Sequence, residues 1–336
     1  MPPEPAPPEV RAALCRLGLL APDEAVAFEA LSGGVASDIW KVDAGGRAFC
    51  VKRALAKLKV MQDWRAPVGR NAAEVGWLRL AAGVVPDAVP EVLGHDPAAG
   101  LFAMEYLAPD RFPIWKQQLR QGIADPAVAE AVASRLVAIH RATAARPDLA
   151  AAFANDATFH AIRLEPYLEA TARLHADLAP VLHALVARTL AERHALVHGD
   201  VSPKNILIGP AGPVFLDAEC ATYGDPAFDL TFCLNHLLLK CLWVPAAREG
   251  FLACFDALAT RYLEGVAWEA PAAFEARAAS LLPGLFLARI DGKSPVEYLA
   301  TEPDKNRVRR VARGLLASPA SRLAAVRAAW TEELRA

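Results

Sequence analysis

The sequence predicts an α+β fold, in which a small antiparallel β-sheet with one helix precedes a larger, mainly helical part. Short runs of β-branched and aromatic residues, separated by glycine pairs, fill much of the first hundred or so residues. One helical pattern, at residues 70–82, interrupts these runs. From about residue 113 onward helical patterns predominate, and an apolar hairpin near residues 205–217 interrupts them.

The elements of the first part follow in chain order. Residues 1–20 are expected to be a proline-rich tail and leading segment. In the helix, Ala73, Trp77, Leu80 and Ala81 mark one face, and two prolines end it. The Gly45-Gly46 pair predicts a hairpin turn between the second and third strands. Strands are predicted at residues 28–31, 39–42, 48–52, 92–94 and 101–106.

Composition limits the classes of protein that the chain can belong to. Its 336 residues, 54% of them hydrophobic, suffice for a substantial core, which excludes disorder for most of the chain. With 36 basic and 38 acidic residues there is little net charge, so we expect neither nucleic acid nor a membrane as partner. The six cysteines form no CxxC pair, as is typical of reduced thiols in a cytoplasmic protein. No signal peptide or run of about 18 apolar residues is expected. A small-molecule partner fits best.

Three polar residues near the apolar hairpin point to phosphoryl transfer. His198-Gly199-Asp200 is followed five residues later by Asn205, and Asp217 ends the next apolar strand. Phosphoryl transfer needs a carboxylate near the attacking hydroxyl and oxygen ligands that hold Mg²⁺. The plainer alternative is a hairpin whose turn residues happen to be polar, but turn chemistry does not explain carboxylates at both ends.

This pattern resembles the catalytic and metal-binding segments of the aminoglycoside phosphotransferase and choline kinase family. The resemblance implies a two-lobed protein-kinase-like fold. We expect an N-terminal nucleotide-binding lobe at residues 1–107 and a C-terminal helical catalytic and substrate-binding lobe at residues 108–336. It also implies ATP as co-substrate and Mg²⁺ as cofactor.

The nucleotide half of such a site is expected in the first lobe. Lys52 ends a strand and Glu74 lies in the following helix, which suits a lysine that touches phosphates and a carboxylate that positions it. Gly33, Gly34 and Ser37 lie where a phosphate-covering loop belongs, although a double glycine is also a common hairpin turn.

The segment after the last strand of the first lobe is expected to hold the adenine. Glu105 and Leu107 are assigned to this role through their backbone groups alone, so their side chains do not reveal the base. A plain core strand with Glu105 exposed is the alternative.

The catalytic half assigns Asp200 to orienting the acceptor hydroxyl. His198 is interpreted as structural, and Asn205 and Asp217 as oxygen ligands to Mg²⁺. Glu219 could be a further metal or water ligand. The Asp217-Ala218-Glu219 sequence departs from the Asp-Phe-Gly of protein kinases, and no Ala-Pro-Glu follows it. A protein kinase is therefore disfavoured.

Candidate substrate contacts remain more open. Asp225 could face a cationic substrate or cap the helix that follows it, while Asp229 could brace the catalytic loop. Arg289 lies in a polar cluster, residues 289–293, that could hold an anionic or polyhydroxylated compound or could equally lead into a solvated turn. Aromatic residues could cage a quaternary amine or belong to the core. These aromatic residues are Trp243, Trp268, Phe286 and Tyr298.

The sequence therefore predicts an ATP- and Mg²⁺-dependent kinase that transfers the γ-phosphoryl group to a hydroxyl of a small molecule. An amino alcohol, an aminoglycoside and a sugar-like metabolite such as methylthioribose all remain candidate acceptors. The alternative of another class is a catalytically silent kinase-like protein that binds a nucleotide or a partner. We expect a monomer or a homodimer.

Overall fold

The small sheet contains five strands among the described residues. The computed structural model describes residues 7–31, 37–55 and 69–336. The strands pair in the order β1-β2-β3-β5-β4, and each pair is antiparallel. The predicted antiparallel sheet is therefore confirmed. The strands are β1 (Val26–Ala30), β2 (Ser37–Ala44), β3 (Arg47–Ala54), β4 (Val92–Asp96) and β5 (Leu101–Glu105).

The turn between β2 and β3 depends on its two glycines. Gly45 and Gly46 have φ angles of +54° and +82°. A two-residue hairpin turn of this kind needs positive φ at both central positions, which side chains other than glycine rarely adopt. Ala44 and Arg47 pair across it, so the predicted Gly45-Gly46 turn is confirmed.

One face of the sheet is covered by a helix that the sequence analysis did not identify. Helix α1 (Pro8–Arg16) buries Leu14 in a cluster with apolar side chains of β2, β3 and β5. Arg16 Nη2 lies 2.6 Å from Asp96 Oδ2 and ties the helix to β4. The segment was assigned to a tail and leading segment because nine residues form too few turns for a recognisable period.

The other face of the sheet packs against helix α2 (Arg70–Val84). Alternate residues of a strand point to opposite faces, so Val51 joins the α1 cluster while Phe102 joins a cluster that includes Trp77 of α2. Lys52 is paired with Phe102 in the register of β3 and β5, so it faces α2. The strand pattern therefore directs the lysine side chain toward the helix that carries Glu74.

The remainder of the chain is mainly helical, as predicted. Two small hairpin-like sheets, β6 with β9 and β7 with β8, are inserted between α8 and α9. The strands are β6 (Ala195–Val197), β7 (Ile206–Gly209), β8 (Gly212–Phe215) and β9 (Thr222–Gly224). The helices are α3 (Trp115–Arg120), α4 (Pro126–Thr143), α5 (Pro147–Ala152), α6 (Asp156–Phe159), a π-helical stretch (His160–Glu169), α7 (Ala170–Leu174), α8 (Ala179–Ala191), α9 (Pro226–Trp243), α10 (Arg248–Glu264), α11 (Pro271–Asp291), α12 (Glu302–Ala317) and α13 (Leu323–Arg335). Short 3₁₀ turns lie at Pro86–Ala88, Pro203–Asn205 and Pro245–Ala247.

Helix α9 is the centre of the helical part. Residues 226–241 are all buried, as expected of a helix that is apolar on every side and lies inside a domain. It packs against α10 and α11, and its first turn lies against β6. Because β6 leads directly into residues 198–200, this packing fixes the catalytic segment to the centre of the lobe. Within the described residues, we find no helix with the length and apolarity needed to cross a bilayer.

The two parts share one apolar core. Trp77 of α2 packs edge-on against His198, with ring centroids 4.7 Å apart, and against Phe215 of β8. The connecting segment runs between the end of β5 at residue 105 and the start of α3 at residue 115. We keep the proposed boundary between the lobes at residues 107 and 108, inside this segment.

The packing of α1 can be tested with a substitution at Leu14, which is fully buried. Leu14→Ala removes apolar contacts and leaves a cavity, so we expect it to lower the free energy of unfolding by about 2–5 kcal/mol. Leu174→Ala is the control, because Leu174 is 70% exposed and should change stability by less than about 0.5 kcal/mol. Urea denaturation measures both. Equal midpoints for the two variants would show that α1 is not packed on the sheet.

Candidate active site

One buried carboxylate holds the His-Gly-Asp segment in place. Asp229, in the first turn of α9, accepts the backbone N–H groups of His198 at 2.7 Å and Gly199 at 2.8 Å. His140 Nε2 lies 3.2 Å from the same carboxylate. Gly199 has a φ of +81°, and a Cβ there would lie 2.8 Å from the Cβ of Cys220. The segment therefore needs glycine at this position, and Asp229 braces it as the sequence analysis favoured.

His198 is a structural residue in this arrangement. Its Nδ1 accepts the backbone N–H of Asp200 at 3.1 Å, and its Nε2 donates to the Leu216 carbonyl oxygen at 3.1 Å. Burial lowers the pKa of His198 below its ordinary value, although nearby carboxylates oppose this effect. The neutral imidazole thus links the catalytic segment to the residue before Asp217. These contacts favour the interpretation of His198 as structural.

Asp200 is held from two sides by positive charges. Its Oδ2 lies 2.8 Å from Arg163 Nη2 and 3.3 Å from Lys204 Nζ. Arg163 also donates from Nε to the Gly199 carbonyl oxygen at 2.6 Å and from Nη1 to the Ile162 carbonyl oxygen at 2.7 Å. A buried arginine that binds both the backbone and the carboxylate fixes the orientation of the Asp200 side chain.

Arg163 was missed by the sequence analysis. It lies in the π-helical stretch His160–Glu169, which contains Pro166 and precedes Asp200 by more than thirty residues. Sequence separation gives no indication that the two side chains meet. Short π-helical segments are frequent at functional sites, but this feature is visible only in the folded chain.

The hairpin of β7 and β8 brings Asn205 and Asp217 to the same place as Asp200. Asn205 Nδ2 donates to the Asp200 carbonyl oxygen at 3.1 Å, so its Oδ1 remains as an acceptor. The backbone N–H of Leu216 donates to the Asn205 carbonyl oxygen at 2.9 Å. Asp217 has a φ of +70°, which is uncommon outside glycine and concentrates at functional sites. The three residues of the motif therefore meet.

Lys52 joins the sheet to this site. Its ammonium donates to Glu74 Oε1 at 2.9 Å and Oε2 at 2.7 Å, and it also contacts Asp217 Oδ1. Lys52 and Glu74 are almost fully buried, whereas the Asp217 side chain is 32% exposed. The predicted contact between Lys52 and Glu74 is therefore present.

The pKa values of this group reflect burial and mutual attraction. Burial alone would lower the pKa of Lys52, but Asp217 and Glu74 outweigh it and the pKa lies above its ordinary value. Burial raises the pKa of Glu74 to about 7 against the attraction of Lys52. Burial also opposes ionisation of Asp217, yet Lys52 and Lys204 hold its pKa well below the usual range. Asp217 is thus an ionised carboxylate at the edge of the cleft.

Glu219 lies next to the same group. Its Oε2 accepts from Arg70 Nε at 2.8 Å, and Arg70 Nη2 donates to the Leu55 carbonyl oxygen at 2.8 Å. The carboxylate is buried and is partly committed to this arginine. Glu219 therefore lies close to Lys52, and one of its carboxylate oxygens is engaged by Arg70.

Of the other residues predicted to bind the nucleotide, Ser37 and Glu105 lie in the sheet. Glu105 ends β5, and its backbone N–H donates to the Glu91 carbonyl oxygen at 2.8 Å. Leu107 follows two residues later in the connecting segment. Ser37 is buried at the start of β2. Gly33 and Gly34, the other candidates of the phosphate-covering loop, lie outside the described residues.

Asp225 and Arg289 differ from each other in their surroundings. Asp225 caps α9 by accepting the Ala227 N–H at 3.0 Å, and both of its oxygens lie within 3.1 Å of Arg277 Nε. These contacts favour the capping role over a substrate contact. Arg289, near the end of α11, is buried and donates to Tyr167 Oη at 3.1 Å.

The fold, a small sheet lobe and a larger helical lobe, is that of the protein-kinase-like phosphotransferases. A model of the phosphotransferase enzyme family matches residues 27–274, and the chain belongs to this family. The resemblance and the α+β kinase-like fold predicted from the sequence are confirmed.

Curated relatives and solved structures agree with this assignment. The chain is 26% identical over 235 residues to a methylthioribose kinase of Bacillus mycoides (strain KBAB4), which covers 61% of this chain and 58% of the relative. It is 27% identical over 243 residues to that of Bacillus cereus (strain AH820), covering 64% and 61%. The match thus spans about three fifths of these relatives.

Among solved structures, a choline/ethanolamine kinase family protein from Mesorhizobium loti matches with a TM-score of 0.52 and 16% identity, over 97% of this chain and 99% of that one. An aminoglycoside phosphotransferase in complex with gentamicin has a TM-score of 0.52 and 13% identity, over 99% and 97%. At such identities these structures support the fold alone.

Arg163 should act on catalysis through Asp200. Arg163→Met removes the contact with the Asp200 carboxylate while keeping an unbranched side chain. We expect kcat to fall about 10²-fold with little change in the KM for ATP, because misplacement of a reacting group costs about this much. Arg173→Met, an exposed arginine of the next helix, is the control. Steady-state kinetics of ADP release measure both variants, and an unchanged kcat would contradict the positioning role.

Asp229 should support the catalytic segment in a graded way. Asp229→Ala leaves two buried N–H groups without their acceptor, at about 1–3 kcal/mol of stability each, whereas Asp229→Asn keeps one acceptor oxygen. We therefore expect Asp229→Ala to lower both the melting temperature and kcat more than Asp229→Asn. If both variants melted and turned over like the wild type, the bracing role would be excluded.

Proposed function

We propose that this protein transfers the γ-phosphoryl group of ATP to a hydroxyl of a small molecule, with Mg²⁺ as cofactor. The observation that carries the proposal is the convergence of Lys52 from the sheet with Asp217 and Asp200 from the helical lobe. Each is the residue type that its position in a phosphoryl-transfer site needs. The family assignment supports the same reaction class.

The nucleotide would lie between the lobes. Lys52, held by Glu74, would contact its phosphates. The Glu105 carbonyl oxygen and the Leu107 backbone would face the adenine edge, and the segment that contains Gly33, Gly34 and Ser37 would cover the phosphates. An AMP-PNP complex of an amicoumacin kinase, with a TM-score of 0.50 and 14% identity to this chain, supports ATP as the co-substrate.

The donor set fits Mg²⁺. Asn205 Oδ1 and the partly exposed Asp217 carboxylate are hard oxygen donors, and Mg²⁺ is usually held by one or two carboxylates together with water and phosphate oxygens. Glu219 could reach the ion through water, since Arg70 engages one of its oxygens. Bound Mg²⁺ supplies positive charge that neutralises the phosphate oxygens during transfer.

Asp200 would orient the acceptor. The hydroxyl oxygen forms a bond to the γ-phosphorus while the bond from that phosphorus to the β–γ bridging oxygen breaks, and ADP leaves. The hydroxyl proton passes to the Asp200 carboxylate late in this step. Arg163, which is anchored by its hydrogen bond to the Gly199 carbonyl oxygen, holds the carboxylate in position throughout.

The setting of the chain agrees with a metabolic enzyme. All six cysteines are free thiols, as expected in a reducing compartment, and we propose a cytoplasmic location. The methylthioribose kinase relatives make a sugar-like metabolite one candidate acceptor class, beside the amino alcohols and aminoglycosides considered from the sequence.

The proposal is tested by ATP consumption with a panel of hydroxylated compounds. Asp200→Asn should lower kcat by about 10²–10⁴-fold because it removes the group that orients the hydroxyl and accepts its proton. It should retain nucleotide binding, whereas Lys52→Met should weaken binding of a fluorescent ATP analogue. Asp177→Asn, an exposed aspartate, serves as the control.

Two outcomes would contradict this proposal. Turnover that is equal in wild type and Asp200→Asn would exclude the assigned role. Magnesium-nucleotide binding without turnover of any acceptor would favour the catalytically silent alternative.

A further inference from the structure

A group of basic side chains lies on three helices of the helical lobe, and one of these helices packs against the turn that carries Asn205. This cationic cluster consists of Lys116 on α3, His236 and Lys240 one turn apart on α9, and Arg289 on α11. Its connection to the site is structural. Helix α3 packs against both the 203–205 turn and α9. The backbone N–H of Ile208 donates to the Pro113 carbonyl oxygen at 2.9 Å, just before α3.

Lys240 is the most unusual member of the cluster. It is 1% exposed, and it has no ion pair or hydrogen bond with any residue that the structure describes. Its ammonium instead lies over two aromatic rings, 4.5 Å from the centroid of Trp243 and 4.6 Å from that of Tyr298. The two rings are stacked 4.4 Å apart. A buried ammonium without a counter-charge is costly.

The aromatic residues considered from the sequence could either cage a quaternary amine or belong to the core, and the structure decides between these alternatives. The space over Trp243 and Tyr298, where a quaternary amine could bind by cation–π attraction, is taken by the ammonium of Lys240. Trp268 packs against Tyr262, and Phe286 packs against Trp330, so these two aromatic residues belong to the core. These four aromatic residues therefore offer a cationic substrate no free cage.

Arg289 also lacks a carboxylate partner among the described residues. Its Nη1 donates to the Ser294 carbonyl oxygen and, at 3.1 Å each, to Tyr167 Oη and Ser294 Oγ, and its guanidinium lies 5.4 Å from the Tyr167 ring centroid. Its Nε is buried without a hydrogen-bond partner in the described part of the chain, and so is Tyr298 Oη. Buried donors of this kind are normally satisfied, and acceptor oxygens of a bound ligand would satisfy these two.

Charge in the cluster is poorly balanced. The Glu297 carboxylate attracts the Lys240 ammonium, but it is itself paired with Lys116 near the surface. Burial, with the charge of Lys116 added, lowers the pKa of Lys240 to about 7. Burial and the charges of Arg289, Lys240, Lys204 and Lys116 lower that of His236 as well. An anion bound here would relieve this repulsion.

We propose that the acceptor of this kinase carries an anionic group, a carboxylate or a phosphate, which Lys240 and Arg289 bind while Asp200 orients its hydroxyl. The inference rests on the proposed function, because it names the substrate class of the same site. It predicts discrimination against amino alcohols and aminoglycosides, whose positive charges would meet the cationic cluster.

The test compares acceptors that differ in charge. Glycerate is compared with glycerol, and ribose 5-phosphate with ribose, while choline and kanamycin represent cations. We expect kcat/KM for one anionic member to exceed that of its neutral partner at least tenfold. The two pairs separate carboxylate from phosphate recognition. Preference for a neutral or cationic acceptor would overturn the inference and leave the kinase assignment intact.

Two substitutions locate the anion-binding group. Lys240→Met and Arg289→Met should raise the KM for the preferred anionic acceptor about tenfold or more, since a hydrogen bond to a charged group contributes this much. Neither should change the KM for ATP. Arg310→Met, an exposed arginine of α12, is the control. Unchanged selectivity in both cluster variants would overturn the assignment.

A readout that needs no turnover completes the test. With protein saturated in magnesium and ADP, we expect glycerate or inorganic phosphate to raise the melting temperature of the wild type more than that of Lys240→Met. Without ligand, Lys240→Met should melt no lower than the wild type, because it removes a buried ammonium. Equal ligand shifts in the two proteins, or a large loss of stability in Lys240→Met, would show that Lys240 is only structural.

Discussion

The structure of the site depends on the ionic contact of Lys52 with Glu74 and Asp217. Lys52 comes from the sheet, Glu74 from the helix that covers it, and Asp217 from the helical lobe. The ammonium could not stay charged at this depth without its carboxylates, and the Glu74 carboxylate likewise needs the ammonium. The charged forms of Lys52, Glu74 and Asp217 are therefore stable together only when the two lobes are aligned.

A second buried polar arrangement keeps the catalytic segment rigid. Asp229 accepts hydrogen bonds from two backbone N–H groups of the segment. His198 connects the segment to Leu216, just before Asp217, and Arg163 holds the Asp200 carboxylate. Because each of these groups is buried and satisfied, displacement of one would leave others unpaired. The segment can thus present Asp200 in one fixed orientation.

The fold of the family relates to the reaction class, whereas the residues around the proposed acceptor relate to the choice of substrate. The contacts under the catalytic segment suit phosphoryl transfer in general. By our proposal, Lys240, which lies beside two stacked aromatic rings, and Arg289, which has no carboxylate partner among the described residues, bind the compound that receives the phosphate. A fold does not select a substrate. In this chain the charged side chains of these helices would select it.

The sequence by itself determined the antiparallel sheet followed by a mainly helical part and the family to which the chain belongs, and it predicted the motif residues. Local patterns carry these features: the apolar run Phe49-Cys50-Val51 placed Lys52 in a strand, which continues to Ala54, and the spacing of Asp200 and Asp217 is set by one hairpin. Helix α1, Arg163 and the Lys240 cluster were decided only by the tertiary structure. Helix α1 is too short to show a helical period, and Arg163 contacts a residue far away in the sequence. The burial of Lys240 without a partner becomes visible only when the surrounding helices are in place.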